Sequence, residues 1–142
     1  MSCVRPRQLA VLMGVLVLSG VVSGCDSTPT SPIDQPFSIT ELRPGTGAIA
    51  LNGDLLAVHY VGWLYDPIRL DNKGGVFDTS RSGTPFVFTL GSEEVIPGWD
   101  AGLVGMSVGG IRRLIIPPNL GYGSSRVGPI PPYSSPIFEI EL

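Results

Sequence analysis

Between residues 37 and 142 the apolar residues come in short runs, most of them closed by Gly- or Pro-rich sequence. Such runs predict strands. They fall at 37–43, 55–64, 76–78, 86–90, 111–116 and 137–142. Pro44-Gly45-Thr46-Gly47 closes the first, and Pro117-Pro118 stops the fifth. Pro136 is tolerable because it precedes the last strand. One segment, 97–104, has helical character instead. Pro97 suits a first helical turn, where its missing N–H would lack a partner anyway. Trp99 and Leu103, four apart, share a helical face, and Gly105 suits the stop. Several strands with one short helix predict an α+β domain, the helix covering one face of a twisted antiparallel sheet.

Alternation along 55–64 separates two faces. Leu56, Val58 and Tyr60 point one way; Ala57, His59 and Val61 point the other. His59 is the one histidine of the chain, and this pattern keeps it out of any pocket lined by Tyr60. It reads as a packing or surface residue. Of Arg112 and Arg113, one is expected to be exposed and the other to meet an acidic partner. Glu93-Glu94 reads as a solvated loop pair. Gly105 to Gly110 lacks the Lys and the spacing of a phosphate loop and reads as turns. Asp78 has two readings that the residues alone leave open. It is either an Asx-type turn residue before Thr79-Ser80, or a carboxylate at a pocket rim held by a Tyr hydroxyl.

Val95-Ile96-Pro97-Gly98-Trp99, with Tyr122-Gly123 and Ile130-Pro131-Pro132, offers material for an apolar pocket edged by a few hydroxyl and amide donors. No nucleophile–base pair and no metal-ligand cluster accompanies it, so neither metal nor cofactor is expected. Such a site can bind an apolar ring and stabilise one conformation of it.

The first residues read as a targeting leader. Arg5 and Arg7 precede an apolar run of 14 residues at 9–22, the length of a signal-peptide core rather than a membrane span. Val22-Ser23-Gly24-Cys25 resembles a bacterial lipobox, in which the Cys is acylated. The alternatives are an ordinary signal peptide with an incidental Cys, or an uncleaved anchor. The expected organisation is a signal peptide at 1–24, a lipidated Cys25 with a Pro/Ser/Thr-rich linker at 25–36, and one domain at 37–142. The location expected is a bacterial cell envelope, on the periplasmic or other extracytoplasmic face, with the membrane held through the lipid anchor. Without Arg5 and Arg7 the net charge falls from −3 to −5, and with no basic patch a nucleic-acid partner is not expected.

The series Val58-His59-Tyr60, Val76 to Arg81, Val95 to Trp99 and Gly105 to Gly109 resembles an FKBP-type peptidyl-prolyl isomerase. Arg113, Ile116-Pro117, Tyr122-Gly123, Ile130-Pro131-Pro132 and 137–142 continue the likeness in order. It implies a curved antiparallel sheet wrapped around one short helix. It also implies catalysis of X-Pro bond rotation in unfolded or partly folded proteins by a monomer, and binding of macrolides such as tacrolimus or rapamycin. Trp99 is then the floor under the proline ring. Tyr60, Phe77, Phe86, Val95, Ile96 and Phe138 are its walls, and Ile130 belongs to the rim loop. The Tyr122 hydroxyl and the Ile96 N–H are donors to substrate carbonyls, and Asp78 is the rim carboxylate. Two departures stand out. The stretch 66–75 is longer than in the smallest family members and, lying between Tyr60 and Phe77, is expected at the pocket mouth. The loop before Pro85 is one residue shorter and lacks the Arg that often accompanies the rim carboxylate, so Arg81 is the one nearby cation for Asp78. The alternatives are a non-catalytic chaperone or partner-binding module using the same pocket, and an unrelated apolar-ligand-binding lipoprotein.

Overall fold

The computed structural model describes residues 34–142. The expected signal peptide, Cys25 and most of the 25–36 linker lie outside them. Six strands form one antiparallel sheet: β1 (Ser38–Arg43), β2 (Leu55–Tyr65), β3 (Lys73–Thr79), β4 (Phe86–Thr89), β5 (Ile111–Ile115) and β6 (Ile137–Glu141). Their order is β1-β5-β6-β2-β3, with β4 paired to the start of β2. β2 is long enough to pair with β4 through Leu55–Val58 and with β3 and β6 beyond. Register shifts interrupt β1 between Glu41 and Arg43 and β2 on either side of Trp63. Such irregularities bend a strand and increase its twist, and the curved sheet wraps around the helix α1 (Pro97–Leu103). The fold is the one expected from the sequence.

α1 has seven residues and carries Gly98 and Gly102 inside it. It is too short to hold by propensity alone, and each interior Gly weakens it by about 1 kcal/mol relative to Ala. Packing explains both glycines. A Cβ on Gly98 would lie 2.5 Å from Ile116 Cγ2, and one on Gly102 would lie 2.7 Å from Leu114 Cδ1. The missing side chains let the helix lie directly on β5 and the residue after it. Trp99 and Leu103 are buried on the core side with Phe88, Leu90, Leu114 and Ile140. The chain leaves α1 through Gly105, whose φ of +76° favours glycine. Carbonyls at this end lack intrahelical partners. The Arg112 guanidinium donates to three of them, on Gly102, Val104 and Gly105, at 2.9, 3.0 and 3.2 Å.

That contact corrects the expectation that one of the paired arginines stands free. Arg112 also meets Glu41 at 2.8 Å, and Arg113 meets Glu139 at 2.8 Å. Alternation along β2 holds: Leu56 and Val58 are buried, while His59 lies on the other side against Ser80. His59 Nδ1 lies 3.2 Å from the Ser80 carbonyl oxygen and 3.4 Å from Ser80 Oγ.

The expectation for 66–75 is corrected too. β3 begins at Lys73, so Gly74 and Gly75 belong to a strand, and the connection shrinks to 66–72 with a 3₁₀ turn at Leu70–Asn72. It sits at the far tip of the β2–β3 hairpin. The pairs Gly62↔Asp78 and Tyr65↔Lys73 are three β2 residues apart, about 10 Å along the strand. Insertion between two pocket residues in sequence therefore placed the loop away from the pocket in space. Lys73 is committed to structure, donating to Glu139 at 2.6 Å.

Candidate functional site

A cavity of about 430 Å³ opens beside the N-terminal end of α1, within the size range of small-ligand sites. Trp99, only 4% exposed, is its floor. α1 places the indole on the core side, where aromatic edges surround it. Tyr60 from β2 stands at 5.1 Å between ring centroids, Phe138 from β6 at 5.3 Å and Phe86 from β4 at 6.1 Å, all T-shaped. Edge-to-face pairs of this kind add about 0.5–1.5 kcal/mol each beyond area burial, which fixes the walls. Val95, Ile96 and Tyr122 complete the apolar lining. Phe88 backs the floor at 5.8 Å.

Two expected members stand outside the lining. Phe77 is edge-on to Phe138 at 5.5 Å and supports that wall from behind. Ile130 is buried, 3% exposed, and pairs with Val127 inside its own loop. Two residues that sequence reasoning set aside belong to the lining instead, Glu93 and Glu94. Glu94 is not merely solvated: its Oε2 accepts from the Thr89 N–H at 3.1 Å. That bond, with help from the Ser92 hydroxyl, holds its carboxyl below the usual range. No periodicity marks a loop residue, so only the register of their neighbours Val95 and Ile96 hinted at these two.

Asp78 combines features of both readings: it lines the cavity and accepts from a Tyr hydroxyl, and its turn bond is present as well. The Tyr60 hydroxyl donates to Asp78 Oδ2 at 2.5 Å, and the Thr79 N–H donates to Oδ1 at 2.9 Å. The segment 78–80 is clamped to Tyr60. The Tyr60 N–H donates to Ser80 Oγ, while the Ser80 N–H and the Thr79 hydroxyl donate to the Tyr60 carbonyl. Arg81 does not serve Asp78; it faces Glu141 at 3.6 Å. Burial and then the bond to Asp78 push the Tyr60 phenol well above its usual range. Burial and the Asp78 charge push Tyr122 up in the same direction. Both phenols therefore stay protonated through neutral pH.

Two donors on residues lining the cavity have no partner among the described residues, the Tyr122 hydroxyl and the Ile96 N–H. Trp99 Nε1 is also unpaired, but it is buried within the protein. Across the described residues, no group of three or more His, Cys, Asp or Glu converges as metal ligands.

An aromatic-floored cavity on a curved sheet around one short helix defines an α+β domain with an apolar pocket. The chain belongs to the FKBP-type peptidyl-prolyl cis-trans isomerase family, which matches residues 47–142. The enzyme class expected from the sequence is the class of that family. FK506-binding protein 4 of Neurospora crassa is 46% identical over 115 residues, covering 81% of this chain and 23% of that protein. The 46 kDa FK506-binding nuclear protein of Spodoptera frugiperda is 42% identical over 106 residues, covering 74% of this chain and 24% of that protein. The crystal structure of AtFKBP13 superposes with a TM-score of 0.64 at 40% identity, covering 74% of this chain and 89% of that one. The chain spans about a quarter of the length of the two curated relatives.

These relatives correct the location expected from the leader. They are a fungal FK506-binding protein and an insect nuclear one, and the assignment to a bacterial cell envelope does not stand. No helix among the described residues is long and apolar enough to cross a membrane.

Proposed function

We propose that this chain isomerises X-Pro peptide bonds in unfolded or partly folded proteins, and that the Trp99 cavity is where it does so. The observation that carries the reading is a cavity apolar at its floor and walls, with idle donors on Tyr122 and Ile96. An X-Pro bond rotates through a twisted amide over a barrier of about 18–20 kcal/mol. Twisting ends the C–N resonance, so the carbonyl becomes less polar. A dry aromatic pocket therefore disfavours the planar, polar ground state more than the twisted one. The proline ring rests on Trp99 between Tyr60, Phe86 and Phe138. The Tyr122 hydroxyl and the Ile96 N–H donate to flanking carbonyls and hold the chain in a turn. Each 1.36 kcal/mol off the barrier is tenfold, so a 10⁴-fold acceleration needs about 5 kcal/mol. Preferential fit to the twisted state supplies that without covalent chemistry. Asp78 positions Tyr60 and presents a carboxylate at the rim.

The same pocket is expected to bind macrolides such as tacrolimus or rapamycin, a reading supported by the names of the FK506-binding relatives. Competition tests the shared site. Tacrolimus should inhibit turnover of a short X-Pro peptide one-to-one, and folded Trp99→Ala should lose both binding and turnover. Tight macrolide binding by a chain that leaves peptide exchange unchanged would favour the non-catalytic partner-binding module.

A further inference from the structure

The rim of the cavity is one-sided in charge. Asp78, Glu93 and Glu94 line it, and no Lys or Arg does. Arg81, close to Asp78 in the chain, is engaged elsewhere and faces Glu141. The three carboxylates differ in availability. Asp78 accepts from the Tyr60 hydroxyl, and Glu94 accepts from the Thr89 N–H. The Glu93 carboxylate has no partner among the described residues. Its backbone is fixed at φ 61°, with its N–H donating to Asp100 Oδ2 at 3.2 Å. Beyond Glu93 and Val95 the surface continues into a second hollow of about 740 Å³, whose walls include Asp100 and Val104. Segments flanking a bound proline thus have an acidic path to follow.

We propose that this pocket prefers X-Pro segments with Lys or Arg beside the proline, and that Glu93 sets the preference. The inference rests on the isomerase reading and names its substrate class. A basic side chain next to a ring held on Trp99 is long enough to reach the rim while its own stem covers apolar wall. The three carboxylates at the rim favour it and disfavour an acidic side chain. The rim is solvated, so the effect is moderate and depends on salt.

The test is a peptide series identical except for Lys, Gln or Glu on either side of the proline, with cis–trans exchange followed by NMR and the full chain as catalyst. At about 20 mM salt, kcat/KM for the Lys peptide should exceed that for the Glu peptide by on the order of tenfold, with Gln between. At about 0.5 M salt the ratio should fall below about threefold. Glu93→Gln should lower the ratio at low salt, and Glu93→Lys should reverse the order. A low-salt ratio below about twofold overturns the inference. So does a larger ratio that neither salt nor Glu93→Gln reduces. If the folded chain accelerates no peptide, the isomerase reading fails by itself. Affinities of the same series from NMR titration then decide the charge preference, by the same order and the same variants.

Discussion

At the scale of single residues, the site depends on which groups donate and which merely fill space. The Tyr122 hydroxyl has no partner among the described residues, so Tyr122→Phe should leave the fold intact. A neutral hydrogen bond is worth about 0.5–1.5 kcal/mol, and kcat/KM for a short X-Pro peptide should fall roughly two- to tenfold. Circular dichroism checks the fold and a coupled protease assay the rate. The two phenols both titrate above their usual range because burial and Asp78 disfavour their anions. The rate should then be flat from about pH 6 to 9. His59→Ala should not change that profile, since His59 points away from the cavity toward Ser80; an inflection near pH 6–7 that vanishes in this variant would show otherwise. Much of this was legible from period and motif. Alternation placed Tyr60 with Leu56 and Val58, and helical spacing placed Trp99 with Leu103. Glu93 and Glu94 were not legible as lining, because a loop has no period to betray which side faces a cavity. Phe77 and Ile130 were assigned by motif, and their packing behind the wall and inside a loop is a tertiary fact.

Among the elements, the short helix is the one whose sequence argues against it. Its two interior glycines are unfavourable locally and favourable only once β5 is in place. Gly98→Ala should therefore gain helix propensity yet destabilise the protein by about 1–3 kcal/mol through overpacking against Ile116. Urea denaturation measures it, and a neutral or stabilised variant would mean that the helix floats above the sheet. Every strand and the helix fell where apolar runs and turn residues put them. The boundaries that moved have physical causes. β3 starts three residues early because Lys73 is drawn in by Glu139 and lies 4.3 Å from the Trp63 ring centroid. Hairpin pairing then carries 66–72 to the tip. Reading proximity along the chain as proximity in space failed there because antiparallel strands run away from the pocket before turning back.

For the whole molecule, Glu139 couples the sheet to pH. It lies on β6 between Lys73 of β3 and Arg113 of β5, accepting from both at 2.6 and 2.8 Å. Burial opposes its charge, but these two cations outweigh that and hold its carboxyl below the usual range. A depressed folded-state pKa contributes stability above the unfolded value of about 4.3 and loses it as pH falls through the folded value. Stability should thus drop below about pH 4, and Glu139→Gln should reduce that acid dependence. At neutral pH the variant should lose about 1–3 kcal/mol, since two partly buried cations are left without their carboxylate. Thermal melts from pH 3 to 7 on both proteins would show it, and identical acid limbs would mean that other carboxylates govern acid unfolding. The account as a whole rests on rotation of the proline amide in the Trp99 cavity. Exchange NMR on a short X-Pro peptide tests it most directly, by following cis and trans resonances as catalytic amounts of the full chain are added. Uncatalysed exchange takes tens of seconds. The account predicts line broadening and exchange cross-peaks at substoichiometric protein, abolished by one equivalent of rapamycin. Exchange that stays at the uncatalysed rate with folded protein present would contradict it.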